Sequence, residues 1–136
     1  MPAETHGLFV YGSLTVAEVL EAVFGRVPAH RRARAIGWRT AALRDRPFPG
    51  LVPAQQTVHG LVLMDLTPGD WDTVDSFEGP MYALVPLDLE DGTAALTYAC
   101  TQASLVLPQD WQVTQLLEEL PSYLERCRSW QASRRT

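Results

Sequence analysis

Apolar positions along the chain fall into strand-like runs and helix-like spacings, and the alternation of the two lays out the elements. Leu8 to Gly12, LFVYG, is a short apolar and aromatic run ending on glycine, which predicts a buried strand. It enters a turn at Gly12 and Ser13. From Thr15, TVAEVLEAVFG sets Val16, Val19, Leu20 and Val23 at helical spacing, with Thr15 as candidate N-cap and Gly25 as terminator. Arg32 to Leu43, RARAIGWRTAAL, alternates only in part and is interrupted by Gly37, so it reads as one bulged strand or two short ones. Arg46 to Pro53, RPFPGLVP, carries three prolines and a glycine and predicts an irregular loop. Its Phe48, Leu51 and Val52 are expected to pack inward and to line a pocket. Val58 to Leu66 is a strand leading to Thr67 and Pro68, a cap and first residue for a short helix. On that helix Val74 stands three residues after Trp71, and Phe77 and Glu78 three and four after Val74, so Glu78 shares the apolar face while Asp72 and Ser76 do not. After Gly79 and Pro80, the runs from Tyr82 and from Thr93 are joined by Asp91-Gly92, a strong hairpin signal. Asp110 to Arg128 reads as a closing helix that Pro121 kinks or restarts. No repeat or low-complexity linker interrupts the series.

The bulk properties narrow the classes of function. A chain of 136 residues with 46% hydrophobic and 20% charged residues is expected to form one compact domain over residues 1–136. Eleven basic against sixteen acidic residues give a net charge of -5, which opposes binding to phosphate backbones and anionic lipids. The basic runs from His30 to Arg34 and at the C-terminus are short, and read as a solvated edge strand and a frayed tail. Cys100 and Cys127 lack CxxC spacing, and both are expected to be reduced core residues. His6, His30 and His59 are isolated from one another, so no metal is expected, nor any other cofactor. The N-terminal stretch lacks a basic region followed by an apolar one, and nowhere do about 18 apolar residues run together. The cytoplasm is the expected location, without membrane attachment.

Two stretches carry candidate chemistry. In VDSFEGPMY, Val74 to Tyr82, Glu78 stands at a helix end where unpaired carbonyls repel a negative charge. That placement is unfavourable for stability, although an exposed acid there costs only a few tenths of a kcal/mol. In YGSL, Tyr11 to Leu14, small residues at a strand-to-helix turn let backbone N–H groups approach a carboxylate or oxyanion. The same tetrapeptide also reads as a tight turn that Gly12 permits and Ser13 helps to cap. Tyr11 and Tyr82 each read either as pocket hydroxyls or as core aromatics with satisfied O–H groups.

LFVYGSL, GWRTAALRDRPFPGLVP, VHGLVLMDL and VDSFEGPMY, in this order and spacing, resemble the gamma-glutamylcyclotransferase-like (AIG2-like) family. The resemblance spans roughly Leu8 to Tyr98, and DWQVTQLLEELPSYL is similar to the family's closing helix. It implies an α+β fold, a small mixed β-barrel with peripheral helices, with a pocket where the YGSL turn meets the FEG glutamate. It further implies that Glu78 is the general acid/base and that Tyr11, Gly12, Ser13 and Leu14 bind a gamma-glutamyl moiety; Tyr82, in its reading as a pocket hydroxyl, is a further substrate-binding candidate. The implied enzyme is of transferase or lyase type, releasing 5-oxoproline and a free amine from a small gamma-glutamyl substrate. The chemistry agrees: an α-amine attacking its own γ-carbonyl needs a base, and a partly desolvated carboxylate can accept that proton and return it to the leaving nitrogen. One departure is Ala83, where the family often carries arginine after the tyrosine. Arg39, Arg44 and Arg46 have the bidentate chemistry for a substrate carboxylate, but arginines in such loops are usually solvated and none is counted in the site. A binding module for an amino acid or small anion, and a tailoring enzyme removing a gamma-glutamyl protecting group, are the alternative readings.

Overall fold

The computed structural model describes residues 7–134; His6 and the last two residues of the basic tail lie outside them. Six strands form one sheet in the order β4-β5-β1-β3-β2-β6. Strand β1 (Gly7–Val10) runs antiparallel to β3 (Gly50–Leu63), Leu8 facing Leu63, and parallel to β5 (Ala94–Cys100), Leu8 facing Leu96. Strand β4 (Tyr82–Asp88) pairs antiparallel with β5. On the other side β2 (His30–Leu43) pairs with β3 along its length and with β6 (Val106–Asp110) near its end. The sheet then returns on itself. Ala35 bridges to Leu89, and the Glu90 N–H donates to the Arg34 carbonyl at 2.8 Å. The result is a curled half-barrel flanked by helices, the mixed α+β arrangement the resemblance implies.

Alternation along β1 divides the core. Phe9 packs inside the curl with Ala35, Leu51, Val58, Val62 and Leu87. Leu8 and Val10 face the helices α1 (Ala17–Phe24), α2 (Pro68–Glu78), α3 (Val113–Glu118) and α4 (Leu120–Ser133), and meet Leu20, Val74, Leu116 and Leu124 there. Burial of these side chains supplies the main driving force, at about 1.5–3 kcal/mol each.

Several elements differ from the pattern's expectation. β2 is a single strand with an irregularity between Ile36 and Trp38, where Gly37 takes a φ of 94°, so the bulged form is the one realised. The proline-rich segment is loop only to Pro49; β3 begins at Gly50, and Pro53 stands opposite Trp38 beside the bulge, where the ladder tolerates a residue without an N–H. Leu51 is fully buried as expected, whereas Phe48 and Val52 are half-buried. Thr15 does not cap α1. It closes a 3₁₀ turn over Ser13–Thr15, its hydroxyl donating to the Gly12 carbonyl at 2.6 Å, and α1 starts after Val16. Gly25, with a φ of 79°, ends the helix as expected. Asp110 to Gln112 is not helical: β6 takes Asp110, and Pro121 restarts the chain as α4.

The run from His30 to Arg34 is hydrogen-bonded along β3 and not solvated at a free edge; Arg31 reaches Asp91 at 3.0 Å and Arg34 pairs with Glu90. The Asp91-Gly92 hairpin is present, the Asp91 carboxylate accepting the Thr93 N–H at 3.0 Å. Cys127 is buried and Cys100 only half-buried; both are free thiols. No helix among the described residues is long and apolar enough to cross a membrane.

Candidate active site

The end of β1 delivers Tyr11 and Gly12 to the 3₁₀ turn, and the β2–β3 connection lays Phe48 and Pro49 across it. Gly12 is needed for that approach: a Cβ there would lie 2.6 Å and 2.7 Å from Cγ and Cδ of Pro49. The first N–H groups of so short a turn have no hydrogen-bonding partner within the turn itself. Leu14 is buried against the helices and also borders the cavity below the turn.

That cavity, of about 130 Å³, is where the sequence candidates meet. Tyr11, Gly12, Ser13, Leu14, Glu78 and Tyr82 all line it. Phe48, Pro49 and Phe77 supply apolar wall, and Tyr98 and Tyr123 complete it. The phenols are anchored rather than loose. Tyr11 donates to the Tyr98 carbonyl, Tyr82 to the Pro49 carbonyl at 2.7 Å, Tyr98 to Asp75 Oδ1 at 3.1 Å, and Tyr123 to Ser13 Oγ at 3.1 Å. Tyr82 therefore joins its two readings, with a satisfied hydroxyl on a ring that walls the cavity.

Glu78 is the last residue of α2, presented there because Trp71 and Val74 bury the same face and Phe77 packs edge-on against Trp130 at 5.3 Å. Gly79, at a φ of 74°, turns the chain away immediately afterwards. Part of the residue is exposed at the cavity mouth, yet protein surrounds the carboxyl closely enough that its pKa is pushed up from 4.5 to about 8. Desolvation is the larger cause and the charge of Asp75 the second. Burial also raises Tyr11, Tyr82, Tyr98 and Tyr123, with Asp75 as the next cause for Tyr98 and Glu78 contributing at all four, so these phenols stay protonated hydroxyls. The site thus combines a carboxyl that exchanges its proton near neutral pH with a rim of neutral hydroxyls and a turn of N–H donors.

No grouping of three or more metal-ligating side chains occurs among the described residues. Arg39 is occupied by Asp110 at 3.0 Å and by the Leu107 carbonyl at 2.8 Å, and Arg46 donates to the Arg44 carbonyl at 2.7 Å. Tyr98 and Tyr123 were not legible as site residues: each lies in an ordinary amphipathic stretch, and their partners Asp75 and Ser13 are 23 and 110 positions away.

The model of a family described as "Gamma-glutamyl cyclotransferase, AIG2-like" matches residues 8–113. AIG2-like protein B of Arabidopsis thaliana is 34% identical over 83 residues, covering 60% of this chain and 48% of that protein. The chain thus spans about half the length of the curated relatives it matches. A solution structure from Arabidopsis thaliana superposes with a TM-score of 0.68 at 24% identity, over 100% of this chain and 97% of that one. A solved structure described as a gamma-glutamyl cyclotransferase superposes at 0.61 and 16% identity, over 90% and 86% of the two chains. At these identities the structural likeness is one of fold.

Proposed function

The chain belongs to the gamma-glutamyl cyclotransferase, AIG2-like family, and from that premise we propose that it converts a gamma-glutamyl amine or peptide to 5-oxoproline and the free amine. The observation that carries this reading is the Glu78 carboxyl, enclosed opposite the YGSL turn with its pKa pushed up to about 8. In the proposed reaction the substrate's neutral α-amine attacks its own γ-carbonyl carbon, forming the ring C–N bond. Glu78 accepts the proton released from that nitrogen and gives it to the departing amine as the original C–N bond breaks. One carboxyl serves both transfers because its pKa lies near the working pH. The oxyanion formed between the two steps meets the N–H groups of the turn; a well-placed donor of this kind is worth about 3–4 kcal/mol. Tyr82 and Tyr123 wall the cavity with anchored rings, and closing a five-membered ring within one molecule gains from proximity.

The test is release of 5-oxoproline from a panel of gamma-glutamyl amines and dipeptides, native protein against Glu78→Gln at equal folded concentration. The variant, isosteric but unable to exchange a proton, is expected to lose about 10²–10⁴ in kcat/KM. Equal release from both would assign the base elsewhere, and ligand binding without release by either would favour a binding module.

A further inference from the structure

The last turn of α2 holds two acids and no base. Asp75 and Glu78 are three apart, neighbours on the helix surface, and both sit at the end where the macrodipole is already negative. A surface carboxylate in that position would ordinarily swing into water, away from its like-charged neighbour. Asp75 is exposed, yet its carboxylate accepts the hydroxyl of Tyr98, a buried residue of β5. The backbone of Tyr98 holds the other side of the cavity, its carbonyl accepting the Tyr11 hydroxyl. One residue of the sheet therefore fixes both a wall of the cavity and the acid beside Glu78.

We propose that Asp75, oriented by the Tyr98 hydroxyl, is a positioning residue that acts through Glu78, its carboxylate making the neighbouring Glu78 the stronger proton acceptor. This rests on the acid/base reading of Glu78 but is measurable without it. The groups facing Glu78 from the other elements are the hydroxyls of Tyr11, Tyr82, Tyr98 and Tyr123, which stay neutral; among the described residues Asp75 is the acid whose charge acts on Glu78. Arg46 and Cys100 act on Tyr82, and Arg126 on Tyr123, one layer further out. Burial would keep Glu78 protonated to some degree in any case; Asp75 adds the part that a single substitution can remove.

The experiment follows the Glu78 side-chain carboxyl by carbon NMR against pH in 13C-glutamate-labelled protein, assigned by the signal missing from Glu78→Gln. Asp75→Asn is expected to move the Glu78 midpoint down by about 0.5–1 pH unit, and Asp75→Glu to leave most of the native value. Tyr98→Phe should move it in the same direction, and the double variant Asp75→Asn, Tyr98→Phe no further than Asp75→Asn alone. With a turned-over substrate, the acid limb of kcat/KM should follow, raising kcat/KM of Asp75→Asn about three- to tenfold at pH 6.5, a gain that structural damage would not produce. An unmoved midpoint in Asp75→Asn, or independent and additive shifts from the two substitutions, overturns the proposal. A moved midpoint in a protein that releases no 5-oxoproline would support it while refuting the cyclotransferase reading.

Discussion

Glu78 illustrates how a residue can line a cavity at the expense of the fold. Its carboxyl ionises near the ordinary value of 4.5 when unfolded and near about 8 when folded, so between those values the folded chain binds more protons than the unfolded one. Stability therefore is fully present below the lower value and is lost as pH rises through the upper one. Glu78→Gln, neutral at every pH, should be close to native stability at pH 5 and more stable by about 2–4 kcal/mol at pH 9. Urea unfolding at the two pH values checks this, and equal differences at both would contradict the burial of the carboxyl. Glu78 was legible in the sequence because it violates two local preferences at once, an acid at a helix C-terminus and a charge on an apolar face. Tyr98 and Tyr123 violate none, since tyrosine suits a strand and a half-buried helix equally well. Their role follows from where their hydroxyls end, which only the tertiary structure fixes.

At the scale of the element, α2 is the piece whose placement matters, because Glu78 rides on its last turn. Its first turn is fixed by a reciprocal cap: Thr67 accepts the Asp70 N–H at 3.1 Å while Asp70 accepts the Thr67 N–H at 2.9 Å. The guanidinium of Arg26, just beyond α1, grips both Asp70 oxygens at 2.9 Å and 2.7 Å and holds that carboxyl below the usual range. Asp70 is nearly buried, so the fork is better shielded than an ordinary surface pair. Asp70→Asn should cost about 1–3 kcal/mol near neutral pH. That difference should shrink as pH falls from the ordinary value of 3.8 through the lower native one, because the carboxylate's contribution is fully present only above the unfolded value. Thermal unfolding at pH 7 and pH 3 measures it. Thr67-Pro68 announced this cap in the sequence. The start of β3 was hidden because three prolines argue against a strand, and the bulge that accommodates Pro53 depends on the opposite strand. β6 was hidden for lack of pattern, Val106 and Leu107 being followed by Pro108 and two polar residues.

For the molecule as a whole, the question is what closes the curled sheet. The returning hairpin is tied to β2 by Arg31–Asp91 and Arg34–Glu90, but all four side chains are between 37% and 51% exposed. Pairs so exposed are worth about 0–1 kcal/mol each and fade with salt. Leu89, 4% exposed and bridged to Ala35, buries its side chain among the residues inside the curl. Closure is thus predominantly apolar. Leu89→Ala should cost about 2–5 kcal/mol, whereas a double-mutant cycle on Arg34→Gln and Glu90→Gln should give a coupling of at most about 1 kcal/mol. Urea unfolding of the variants decides between them. The mixed half-barrel was legible only through the combined motifs, since short-range periodicity describes each strand without stating that β1 runs parallel to β5.

The Tyr123 hydroxyl that meets Ser13 crosses 110 positions of sequence, and that span has a consequence in time. A chain emerging from the ribosome can fold its sheet through β5, and bring Glu78 beside the YGSL turn, while one wall of the cavity is still unmade. Of the residues that line the cavity, Tyr123 on α4 is the last in the chain, and the wall it supplies is absent until α4 docks. Order along the chain thus places the closing wall after every other part of the cavity.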